Sequence, residues 1–127
     1  MKPVTPSDPQ DVFAHTPFMQ LIGMKREHSR DGVACMSLDP TAALGNVIGS
    51  VHGGVVATML DVVMASAAVS AVGFSRTVVT LSLTASYLEP GRGKLVANGE
   101  VVSPDSPVGA RQFADCAATL VRTGVVP

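Results

Sequence analysis

Residues 79–87 alternate cleanly: Val79, Leu81, Leu83, Ala85 and Tyr87 are apolar, and Thr80, Ser82, Thr84 and Ser86 between them are polar. A period of two predicts a strand with one buried face, closed by the turn chemistry of Glu89-Pro90-Gly91. Residues 32–38 alternate too, with Ala34, Met36 and Leu38 set against Val33, Cys35 and Ser37. A strand over 21–28 precedes them across Ser29-Arg30-Asp31-Gly32, where Asp-Gly is a strong hairpin signal. Asp39-Pro40 ends this pair. Residues 94–102 predict a further strand, Ser103-Pro104-Asp105-Ser106-Pro107 a turn, and 111–122 a last strand. Residues 51–73 differ: they show no clear period and carry a single formal charge, Asp61. A helix that is apolar all round is one enclosed on all sides. It is expected to start near His52-Gly53-Gly54 and run to about Val72, with Gly73 ending it. A shorter helix from Asp8, with Pro9 in its first turn and Phe13, Phe18 and Leu21 as anchors, opens the chain.

The order is therefore short helix, two strands, long helix, three strands, which is an α+β pattern in which a sheet wraps a helix. The 127 residues read as a single domain, 1–127, with 1–10 a loose arm. A sheet of about five strands leaves edges and a face to cover, so pairing with a second copy is expected. At 46% hydrophobic and 15% charged the chain can fill a core. A net charge of −1, without a basic stripe or a run of aromatics, argues against nucleic acid as a partner. The apolar run is long enough to flag a membrane span. Two glycines at its start and a carboxylate in its middle argue against one. Cys35 and Cys116, far apart in apolar runs, read as free thiols of a reducing compartment, and the first ten residues lack the apolar core of a secretory signal. A cytoplasmic protein is expected.

The chemistry concentrates in the long helix. Free N–H groups at a helix start attract partial negative charge, so the N–H of Gly53 or Gly54 can polarise a carbonyl and hold its oxyanion. Asp61 is a carboxylate in an apolar run, able to take a proton from water or to attack directly. It reads equally as a hydrogen-bonded structural group. A helix separates Gly53 from Asp61 by about 12 Å, too far for one carbonyl to meet both. A dimer in which Gly53 of one chain faces Asp61 of the other removes the difficulty. His52 has no second ligand at useful spacing, so no metal is expected.

The set Asn46-x-x-Gly49-x-x-His52-Gly53-Gly54, followed by Leu60-Asp61, resembles the hotdog-fold acyl-CoA thioesterases of the PaaI type. The likeness continues through Tyr87-Leu88-Glu89-Pro90 and covers most of residues 13–122. It implies a hotdog fold, a curved antiparallel sheet around one long helix, assembled as a homodimer or homotetramer. It also implies that Asp61 is general base or nucleophile, that the Gly53 N–H polarises the thioester carbonyl, and that Asn46 helps orient substrate or water. His52 and Gly54 would serve substrate binding, and a hydroxyl on the following strand, Thr80 by counting back from Pro90, would assist the water. The two halves of such a site come from different subunits. Where the family has two strands after the one near Lys94, this sequence offers only 111–122, one strand fewer than usual.

Hydrolysis of acyl-CoA to carboxylate and coenzyme A is thus the leading expectation. It needs no cofactor, since coenzyme A is part of the substrate, and no membrane partner. Arg92, Lys94 and Arg111 are candidates for its phosphates. Two alternatives stand beside it. One is a hotdog enoyl- or hydroxyacyl-thioester hydratase-dehydratase, in which His52 would be catalytic. The other is a non-catalytic acyl-CoA-binding module.

Overall fold

A computed structural model describes the chain over residues 9–108 and 111–123, with side chains over 12–102. The expected arm lies largely outside the described residues, as do the side chains of Arg111 and Cys116. Two short helices come first, α1 (Pro9–His15) and α2 (Pro17–Ile22). Pro17 lacks an N–H and keeps the preceding Thr16 extended, so one predicted helix becomes two. The α2 helix closes on Gly23, whose N–H reaches the Met19 carbonyl at 2.9 Å. Leu21 is thus helical and 78% exposed, not the first residue of a strand, and Phe18 is exposed as well. Met19 and Ile22 are the residues that α2 buries, one turn apart on its inner side.

Strands β1 (Met24–Arg30) and β2 (Val33–Leu38) form the predicted hairpin. Its two-residue turn is Asp31-Gly32, with φ of 50° and 86°, the left-handed geometry that favours Asp and Gly. Along β2, Ala34, Met36 and Leu38 are buried, as the alternation required. Cys35 is half-buried on the other face, and its thiol is pushed up by burial and then by the Glu27 carboxylate. That carboxylate accepts a hydrogen bond from Ser37 Oγ at 2.5 Å.

The long helix α3 (Gly53–Ala71) follows, and Gly73, at φ 61°, turns the chain out of it. It is not enclosed on all sides. Met59, Val63, Ala67 and Ser70 form one buried stripe at near-helical spacing, and most of the remaining positions are half-buried. Within one chain only that stripe is buried, with Val55, Val56, Val62 and Met64 packed partly buried against the core beside it. Ser70 ties the helix end to the hairpin, accepting from the Gly32 N–H at 2.9 Å and donating to the Ala67 carbonyl at 2.8 Å. By length and composition α3 could cross a membrane; here its stripe packs on the sheet.

Strands β3 (Lys94–Val108) and β4 (Arg111–Thr123) complete a four-stranded antiparallel meander in the order β1-β2-β3-β4. The expected turn at 103–107 is instead part of a longer β3, whose register against β4 shifts between Val101 and Ser103 and between Pro104 and Pro107. Pro104 and Pro107 cannot donate to a ladder, and the second of these shifts falls between them without ending the pairing.

The largest correction concerns residues 79–87. They lie outside the four-stranded sheet and belong to no strand of the single chain. Val79 and Leu81 are 82% and 74% exposed. Alternation prepares a segment for a ladder, but the ladder needs a partner, and β1 to β4 pair among themselves. The segment lies along α3 instead, antiparallel to it, tied near its two ends by Thr80 and Tyr87.

Candidate active site

Small residues shape the loop that leads into α3. A short 3-10 turn (Ala42–Leu44) is followed by a tight loop closed by a bridge between Gly45 and Val51. Asn46 organises it. Its Oδ1 accepts from the N–H groups of Ile48 at 3.1 Å and Ser50 at 3.0 Å, and its Nδ2 donates to Ser50 Oγ at 2.8 Å. An Asn that hydrogen-bonds the backbone two residues on is a turn-forming group, so this side chain is committed to loop shape. Val51 then bridges to Gly91, and the His52 N–H reaches the Leu44 carbonyl at 2.8 Å.

His52 is the N-cap of α3, and its Nδ1 accepts from the Gly54 N–H at 2.9 Å. A ring nitrogen that accepts carries no proton, so the imidazole is held as the tautomer protonated on Nε2. The His52 carbonyl takes the N–H groups of Val55 at 2.9 Å and Val56 at 3.4 Å. Of the four donors that a helix start leaves over, Gly53 alone keeps an N–H without a partner among the described residues. His52→Ala should remove the cap and lower stability by about 1 kcal/mol, read as a reduced midpoint in urea unfolding. An unchanged midpoint would mean that the ring does not cap the helix.

Gly53 opens onto a groove of about 270 Å³. Ile48, Val51, Val56, Tyr87, Leu88 and Pro90 give it a mainly apolar lining, with Asn46, Ser50 and Glu89 as the polar members. Arg92, next in sequence to the groove residue Gly91, reaches the Gly49 carbonyl at 3.5 Å, and Lys94 starts β3 close by in sequence.

Asp61 and Thr80 do not line this groove. At about 100° per residue, Asp61 lies about 160° around the helix from both Met59 and Val63, on the side turned away from the sheet. There it is half-buried, and Thr80 Oγ1 donates to its Oδ1 at 2.5 Å. The structure thus joins Asp61 to Thr80, and Asn46, His52, Gly53 and Gly54 to one another. It leaves the two groups apart within one chain, separated along the helix by about 12 Å.

The fold and part of the sequence are shared with known proteins. A family model described as the thioesterase superfamily matches residues 48–103, the stretch that holds the helix start, Asp61, Thr80 and Tyr87. The fold is the thioesterase superfamily's hotdog. A conserved protein of Pseudomonas aeruginosa superposes with a TM-score of 0.72 at 25% identity, over 89% of this chain and 98% of that one. A Shewanella oneidensis protein related to the thioesterase superfamily gives a TM-score of 0.69 at 27% identity, over 89% of this chain and 82% of that one. The PaaI protein of Escherichia coli, from a phenylacetic acid degradation operon, shares the fold at a TM-score of 0.67 and 20% identity, over 90% and 89% of the two chains. In sequence, a protein of Halobacterium salinarum whose name provisionally calls it an esterase is 33% identical over 100 residues, 75% of this chain. The match spans 66% of that relative's length. The hotdog of the thioesterase superfamily supports a thioester-hydrolase type of function.

One residue of this hotdog site was not singled out by the sequence. Tyr87 donates its hydroxyl to the Gly53 carbonyl at 3.0 Å, and its ring lies in contact distance of Gly53. The sequence marked it as the single tyrosine, closing the alternating segment and opening the Tyr87-Leu88-Glu89-Pro90 likeness, without a role at the site.

Proposed function

We propose that this chain hydrolyses acyl-CoA thioesters as a homodimer in which each site combines the Gly53 end of one α3 with Asp61 of the other. The observation that carries the reading is the single unclaimed donor of the α3 first turn, the Gly53 N–H, opening onto an apolar groove. A thioester carbonyl placed there is polarised by that N–H and by the helix dipole, and the tetrahedral oxyanion gains more than the ground state does. Asp61 takes a proton from water while the water oxygen bonds to the carbonyl carbon. The carbon–sulfur bond then breaks, and the coenzyme A thiolate leaves with the proton that Asp61 held. Thr80, already donating to Asp61 Oδ1, fixes which carboxylate oxygen faces the water. Direct attack by Asp61 on the same carbon uses the same geometry.

The dimer part of the reading is supported by the separation of Gly53 from Asp61 within one chain and by the exposed apolar residues Val79, Leu81 and Leu83. These lie beside α3 on unpaired backbone, where a second copy of the segment can add main-chain hydrogen bonds. The hydratase reading would have His52 act through Nε2, since its Nδ1 accepts from the Gly54 N–H.

The test is release of free thiol from a panel of acyl-CoAs that includes short-chain, medium-chain and aryl members. Turnover of at least one of them at enzymatic rates is expected. Binding of the panel without thiol release would instead leave an acyl-CoA-binding module, and loss of enoyl absorbance without thiol release a hydratase.

A further inference from the structure

The proposed oxyanion donor sits on the least constrained kind of backbone. Gly53 has no side chain to lock its φ and ψ, it is followed by a second glycine, and its N–H has no partner among the described residues. A donor contributes to catalysis only if it is aimed to within about 10–20° of the developing charge. The His52–Gly53 peptide that carries this N–H is held through the His52 carbonyl by the N–H groups of Val55 and Val56, so the next peptide, Gly53–Gly54, is the one that still has to be held.

We infer that Tyr87 is the positioning residue for the Gly53 N–H. Three observations carry this, and it rests on the thioesterase reading above. First, the Tyr87 hydroxyl donates to the Gly53 carbonyl at 3.0 Å, which fixes the peptide plane on the C-terminal side of the donor residue. Second, the ring stands against Gly53 itself, so close that a methyl group built on Gly53 would lie 3.5 Å from the ring edge. Third, Tyr87 and Gly53 line the same groove, so the clamp stands beside the place a thioester carbonyl would occupy. The same Gly53–Gly54 peptide is held a second time, through its N–H, by the His52 ring. Two aromatic side chains thus brace one glycine pair. His52 holds the Gly53–Gly54 peptide through its N–H and Tyr87 holds it through its carbonyl, which limits rotation at Gly53, while the Gly53 N–H on the preceding peptide keeps no partner among the described residues.

Tyr87→Phe keeps the ring and removes only the hydroxyl. A hydrogen bond of ordinary worth corresponds to roughly 2- to 10-fold in a rate, so kcat for a turned-over acyl-CoA should fall by about fivefold with KM little changed. A non-hydrolysable CoA thioether, which has no carbonyl for the Gly53 N–H to hold, should bind Tyr87→Phe as well as wild type. Tyr87→Leu, which also loses the ring contact, should fall further in kcat. A Tyr87→Phe kcat equal to that of wild type would overturn the inference. So would a parallel loss of thioether binding, because Tyr87 would then be shaping the groove and not the donor. If wild type hydrolyses no thioester, the thioesterase reading fails by itself, and the amide signal of Gly53 still decides the clamp. In amide-resolved NMR that signal should shift and exchange faster in Tyr87→Phe, and an unmoved Gly53 amide would remove the positioning role whatever the activity.

Discussion

Asp61→Asn should abolish most thioester hydrolysis while leaving the protein folded. The amide has the size of the carboxylate and still presents an Oδ1 that can accept the Thr80 hydroxyl. Packing beside α3 is therefore kept, and only the proton acceptor is lost. Positioned general bases contribute about 10²–10⁴-fold, so kcat should fall by that factor. KM should hold, because the Gly53 end that meets the carbonyl is untouched. Far-UV circular dichroism and the urea midpoint should stay close to wild type. Thiol release at the wild-type rate from the folded variant would sink the assignment of Asp61 and return it to a structural carboxylate.

Gly99→Ala should be the most destabilising small substitution in the sheet. A Cβ at position 99 would lie 2.9 Å from the Val63 carbonyl oxygen and 3.0 Å from its carbon. Those are backbone atoms of α3, so relief requires the whole helix to lift from β3. Lifting it also loosens Met59, Val63 and Ala67, which are fully buried against the sheet. Overpacking of this kind costs about 1–3 kcal/mol, which for a domain of this size lowers Tm by on the order of 5–15 °C. Thermal and urea unfolding both read it. A Tm within a degree of wild type would mean that helix and sheet do not approach as closely as described.

What the sequence disclosed follows from how local each feature is. The Asp31-Gly32 turn and the burial of Ala34, Met36 and Leu38 depend on neighbouring residues alone, and both were legible. The start of α3 at Gly53 was legible from the His52-Gly53-Gly54 step, whereas the capping by the His52 ring was not. The wrapping of α3 was not: uniform apolarity says that every side of a helix avoids water, but not which side its own chain covers. The stripe of Met59, Val63, Ala67 and Ser70 is only part of the circumference. Residues 79–87 failed for a related reason. Period two describes where side chains point, and a strand also needs a neighbour with free N–H and C=O groups. Pro17 and Gly23 could have been read as boundaries of a second helix, since both act locally. At the site, spacing brought Asp61 and Thr80 to attention through a family likeness, but no spacing rule places a hydroxyl against a carboxylate 19 residues away. The role of Asn46 in shaping its loop, and the contact of Tyr87 with Gly53, depend on folded geometry.

Residues 79–87 contain no charged residue and no proline, and in a lone chain Val79 and Leu81 stand in water. Short, uncharged, β-prone stretches of this kind are the signature of segments that stack indiscriminately once exposed. The surface that would complete catalysis is therefore also the one that threatens solubility. Natural edges are commonly blunted with lysine or proline, but charge here would sit between Thr80 and Tyr87, the two residues that hold the segment on α3. In the proposed dimer, orderly self-association would keep this stretch out of water, and the colloidal behaviour of the protein would then depend on the same contacts as its chemistry.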